Sequence, residues 1–106
     1  MVDEQIIEII KEYIVRLKEE GITVTKAILY GSHVSGNARP DSDIDLIIVS
    51  PQFENGNDKF IGRLWKATKY SNYKIEPIAI GVTKFNVTEN SPIISLAKKY
   101  GLEIAA

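Results

Sequence analysis

Apolar and polar positions alternate along this chain with two different periods, and the switches between them outline its architecture. Residues 3–20 carry Ile6, Ile10, Tyr13, Ile14 and Leu17 at helical spacing with Glu and Lys between them, which predicts an amphipathic helix. Asp3 is placed to cap it and Gly21 to stop it. Thr25 to Tyr30 reads as a strand ending at Gly31, and residues 33–38 as one short helical turn at most. Asp43 to Val49 reads as a second strand with a strongly apolar end, Leu46 to Val49, followed by a loop from Pro51 to Asn57. The helical period returns over 59–70 through Phe60, Ile61, Leu64, Trp65 and Thr68, with Asp58 as its expected cap and Trp65 as a core residue. Tyr73 to Ile80 is a third strand. Ser91-Pro92 opens a last helix, with serine as cap and proline at the first helical position. Ile93, Leu96, Ala97 and Tyr100 form its expected buried face, Gly101 ends it, and Leu102 to Ile104 is a candidate terminal strand.

The resulting order is α-β-α-β-α-β-α. Such alternation predicts an α/β (α+β) fold, a small mixed sheet packed with helices. At 106 residues the chain is read as one domain, 1–106, able to bury roughly two-thirds of its unfolded surface. It has no cysteine, so neither disulfides nor thiolate metal sites enter the picture. Thirteen basic against fourteen acidic side chains argue against a broad nucleic-acid surface while leaving room for a local phosphate site. The apolar runs are far below the ~20 residues of a membrane span. The acidic, amphipathic N-terminus is not a signal peptide, so a cytoplasmic location is expected. Asn86-Val87-Thr88 matches a glycosylation sequon and, without a secretory signal, is read as coincidence.

Candidate chemistry concentrates between Gly31 and Asp45, GSHVSGNARPDSDID. A glycine after a strand lets a ligand approach the backbone, Ser32 adds a hydroxyl, and a helical turn beginning there would aim N–H groups at a phosphate. Residues two apart on a strand share a face, so Asp43 and Asp45 project together. Two adjacent carboxylates repel, and a divalent cation with oxygen preference, such as magnesium, resolves the conflict. Glu76, in YKIEPIAI, completes a carboxylate triad if its strand lies beside Asp43–Val49, and Pro77 places that strand at an edge or a bulge.

Each of these residues has a plainer reading. The aspartates could be a solvated turn, Glu76 an exposed edge residue, and Ser32 a turn cap. Arg39 could pair with Asp41, His33 could be an exposed polar residue, and Lys98-Lys99 could serve the dipole of the last helix. For Asp43, Asp45, Glu76 and Ser32 the spacing outweighs these readings, because the full combination arises by chance in on the order of one chain in a thousand this long. For His33 and Lys98-Lys99 the plainer reading is preferred, and for Arg39 the two stand even.

At these residues the chain resembles the minimal nucleotidyltransferases of the DNA polymerase β superfamily. Their motif is Gly-Ser, ten residues, then Asp-x-Asp, here Gly31-Ser32 and Asp43-Ile44-Asp45. Ser42 to Leu46, SDIDL, is similar too, and Glu76-Pro77 matches one variety of the third acid. The family often carries basic residues just after Gly-Ser, where this chain has His33 and Ser35, so phosphate contact there is expected either to be weaker or to be supplied by Arg39 instead.

The resemblance implies a magnesium-dependent enzyme that moves a nucleoside monophosphate, AMP from ATP or another triphosphate, onto a hydroxyl. Asp43, Asp45 and Glu76 would be the catalytic residues and would hold two magnesium ions; Gly31, Ser32, Arg39 and Ser42 would bind the nucleotide. It also implies a partner, a small helical HEPN-domain toxin, with this chain as the antitoxin that adds AMP to a tyrosine. A domain this short is expected to find its acceptor on another chain. The alternative is a non-catalytic module that neutralises such a partner by contact.

Overall fold

The computed structural model describes residues 2–55, 58–87 and 91–104, without the Asp58 side chain. Helix α1 (Glu4–Glu19) is capped by Asp3, whose carboxylate accepts the Gln5 N–H at 2.8 Å, and it buries Ile10, Tyr13, Ile14 and Leu17. Strand β1 (Lys26–Tyr30) leads into a single helical turn, α2 (Ser32–Ser35), and then to β2 (Ile44–Val49). Helix α3 (Asp58–Lys66) passes into a 3-10 segment (Ala67–Ser71) and then β3 (Ile75–Ile80). Two further helices, α4 (Val82–Val87) and α5 (Pro92–Tyr100), precede the short β4 (Leu102–Ile104).

The four strands form one sheet in the order β3-β2-β1-β4. β1 is antiparallel to β2 and to β4, whereas β2 and β3 run parallel. The sheet is therefore mixed, and β3 lies at an edge as Pro77 requires. Because side chains alternate, each face of the sheet carries its own core. Ala27, Leu29, Ile44, Leu46, Ile48 and Ile75 pack with α1 and α3. Ile28, Ile47, Val49 and Ile80 pack with Phe85 of α4 and with Ile94 and Ala97 of α5. The second face is the one whose upper end carries the acids. No helix among the described residues is long and apolar enough to cross a membrane.

Several expectations are corrected. Trp65 is not core: it is 50% exposed, because α3 turns Leu64 inward and the chain tightens to 3-10 geometry at Ala67. On α5 the buried pair is Ile94 and Ala97, while Ile93, Leu96 and Tyr100 (55% and 62% exposed for the last two) face outward. The segment after Ser50 is not wholly loop, since Pro51–Phe53 forms a 3-10 turn that buries Phe53. Helix α4 was not anticipated. β3 begins at Ile75 rather than Tyr73, because Asn72 and Tyr73 both take positive φ (55° and 61°) and break the extended run. α3 starts at Asp58 itself, and the capping role expected of its side chain lies outside the described residues, as does Thr88 of the sequon.

Candidate active site

Strand register builds the site. Tyr30, at the end of β1, stands opposite Asp45 near the start of β2, and Asp45 stands beside Glu76 near the start of β3. Asp43, one residue ahead of β2, shares the face of Asp45. The parallel β2–β3 pair thus supplies the adjacency that the sequence left open, and all three acids meet at one corner of the sheet.

Their electrostatics show the crowding. Glu76 is held above the ordinary carboxylate range, first by the charge of Asp43, then by partial desolvation and the charge of Asp45, and it lies within hydrogen-bonding reach of Asp43. The Asp45 carboxyl is also pushed up, by burial first and by Asp43 next, with His33 pulling it partly back. The Tyr30 hydroxyl is pushed up to about 12 by burial and by Asp45 and Glu76.

Gly31 ties this corner to the turn above it. Its φ of +82° and ψ of −149° fall in a region essentially reserved for glycine, and a Cβ there would run into the Asp45 carboxylate. In α2 the amides of Val34 and Ser35 close on the Gly31 carbonyl. Those of Ser32 and His33 have no backbone partner among the described residues, as expected at the first turn of a helix. An open cleft of about 530 Å³ runs past this turn, and it brings Ser32, His33, Arg39 and Lys74 together.

Arg39 makes no ion pair with Asp41 among the described residues. Its backbone N–H donates to the Ser42 hydroxyl at 2.7 Å, so Ser42 closes the loop that leads into Asp43. His33 is half-buried, with Nε2 3.4 Å from the Ser42 carbonyl. At the last helix Lys98 lies over the Phe85 ring at 4.7 Å, and packing there joins the dipole contribution that its position suggests. Two residues were missed. Lys74 brings a second cation to the cleft, with Nζ on the Pro40 carbonyl at 3.3 Å; its position two residues before Glu76 was the available signal. Tyr30 floors a neighbouring apolar cleft of about 620 Å³ that Leu96 and Tyr100 wall, and nothing in the sequence marked it.

Among the described residues, no three His, Cys, Asp or Glu side chains already converge tightly enough to grip a metal. The donor set still suits one: three carboxylates on one face, two of them with raised proton affinity, offer hard oxygen ligands to a cation that would relieve their repulsion.

A sequence profile of the nucleotidyltransferase domain matches residues 7–101, nearly the whole chain. The chain belongs to the nucleotidyltransferase domain family. The fold agrees with a crystal structure from Sulfolobus solfataricus whose own assignment as a nucleotidyltransferase is provisional. That structure superposes with a TM-score of 0.63 at 12% identity, over 93% of this chain and 78% of the other. No curated protein matches the sequence. This nucleotidyltransferase domain therefore carries its family's activity in general terms, transfer of a nucleotide, on a mixed sheet whose acids meet at one end.

Proposed function

We propose that this nucleotidyltransferase domain moves a nucleoside monophosphate, AMP from ATP, onto a hydroxyl in a magnesium-dependent reaction. The observation that carries the reading is the meeting of Asp43, Asp45 and Glu76 directly beneath the Gly31-Ser32 turn. The Ser32 hydroxyl and the amides of Ser32 and His33 receive the terminal phosphates, and Arg39 and Lys74 add positive charge from the same cleft. Glu76 takes the proton of the acceptor hydroxyl. The acceptor oxygen then bonds to the α-phosphorus, and pyrophosphate leaves with the electron pair of the broken bond. Magnesium bound by Asp43, Asp45 and Glu76 would supply charge stabilisation for the phosphoryl oxygens.

For the acceptor, the reading is a tyrosine hydroxyl of a small helical HEPN-domain protein, with this chain as the antitoxin. Its support is the Gly-Ser, Asp-x-Asp and Glu-Pro resemblance, together with the exposed apolar side chains of Leu96 and Tyr100 that line the cleft beside Gly31 and Ser32. The test incubates the protein with α-labelled ATP, magnesium and the product of the neighbouring gene. Label on the partner, abolished by chelator and by Asp45→Asn, supports the reading. Glu76→Gln at wild-type rate removes Glu76 from the chemistry. Tight association without label favours neutralisation by contact.

A further inference from the structure

Five of the chain's thirteen basic side chains, and none of its fourteen acidic ones, fall between positions 59 and 74. The near-neutral overall balance averages over this concentration. The same stretch forms α3, the 3-10 segment and the turn into β3, and it exposes aromatic rings among its cations. Trp65 is 50% exposed and Tyr73 is 73% exposed. The Tyr70 ring is held between Arg16, whose guanidinium lies 4.7 Å from its centroid, and Lys69 at 5.3 Å. Arg16 is itself paired with Glu12 and Glu19, so its role is to fix the ring rather than to add charge.

Two details go beyond a solvated basic face. A tryptophan left half-open costs solvation that a core position would have avoided, and on α3 Leu64 already holds the inward position. Tyr73 sits at φ +61°, a conformation rare for a bulky side chain, and Asn72 before it is also left-handed. The pair turns the Tyr73 ring out into solvent at the end of the strip. Open rings spaced among cations are what a flexible polyanion with flat bases requires: phosphates meet Lys and Arg while bases stack on the rings. An acidic protein partner would use the charges but has no comparable use for several separated, solvent-facing rings.

We propose that the surface of α3 and the following 3-10 segment binds single-stranded nucleic acid, with Trp65 as a stacking platform and Arg63, Lys66 and Lys69 as the phosphate contacts. This function is independent of nucleotide transfer, since these side chains lie outside the acid corner and its cleft.

Trp65 is the only tryptophan, so its own fluorescence reports the event. Titration with a ten-nucleotide oligouridylate should quench it, with matching anisotropy from a labelled strand. Three phosphate contacts give a slope of about −2 for log K against log salt, so raising salt from roughly 50 to 200 mM weakens binding about twentyfold. Trp65→Phe should retain most affinity by anisotropy, and Trp65→Ala should lose roughly tenfold. Lys66→Glu combined with Lys69→Glu should flatten the salt slope by about 1.4. The thermal midpoint of each variant verifies folding. Absence of binding by folded wild-type protein at low salt overturns the proposal. So does a poly-glutamate peptide of equal charge that binds as tightly as the strand, because charge alone would then account for the surface.

Discussion

Gly31→Ala tests whether the turn and the acids form one unit. At φ +82° and ψ −149° an alanine costs about 1–3 kcal/mol in backbone strain alone. Its Cβ also overlaps the Asp45 carboxylate, and forcing a methyl into an occupied position costs roughly another 1–3 kcal/mol. The sum is about 2–6 kcal/mol, which for a domain of this size is a fall in Tm of roughly 10–30 °C. Gly36→Ala is the internal control. Gly36 is also left-handed, at φ +87°, but a Cβ there meets nothing within 4 Å, so only about 1 kcal/mol of left-handed strain remains. Calorimetry or urea unfolding of the two variants should therefore separate them by at least 1 kcal/mol. Combining Gly31→Ala with Asp45→Ser removes the overlap but not the strain, so a double-mutant cycle should give a coupling of about 1–3 kcal/mol. Equal losses for the two glycines, or a coupling of zero, would show that Gly31 does not bear on Asp45 and would separate the turn from the acids.

Asp43→Asn should make the metal-free protein slightly more stable near neutral pH, because it removes one of the crowded charges, while nucleotide transfer is lost. The sign follows from the raised proton affinity of Asp45 and Glu76: the folded state binds more protons than the unfolded chain just above the ordinary carboxylate range, so stability falls as pH rises through that window. Urea unfolding between about pH 4 and 7 should show this slope in wild type and a flatter one in the variant; a variant less stable at pH 7 contradicts the crowding. Tyr13→Phe removes the 2.7 Å hydrogen bond to the buried Leu64 carbonyl and should cost about 1–2 kcal/mol. Burial holds the Tyr13 phenol well above its usual range, so its contribution is intact below about pH 10 and drains away as pH rises further. Unfolding curves taken between pH 8 and 11 should converge for wild type and variant as alkali is added, and parallel curves would contradict the burial.

What was legible in the sequence, and what was not, divides by whether one element or two must be known. Asp3 and Ser91 as caps, α1 with its buried stripe, and the strands ahead of Gly31 and after Asp43 are local matters, and the chain states them locally. The shared face of Asp43 and Asp45 follows from period two alone. Glu76 is different: its place depends on β2 and β3 running side by side, which rests on a crossover through α3 that no local pattern encodes. The failures have the same origin. On α5, Ile93, Leu96 and Tyr100 and the neighbouring Ile94 and Ala97 both satisfy helical spacing, so period cannot choose the inward face. The sheet chooses it, because a small alanine lets the helix approach Ile28 and Ile47 closely, whereas Leu96 and Tyr100 would hold it away. Trp65 follows the same rule on α3, where Leu64 already fills the inward position. Large apolar side chains thus lie outside on two helices, beside the acid corner on α5 and among the cations on α3. In both cases the core was complete without them, so their size is explained by contact with other molecules better than by the stability of the fold.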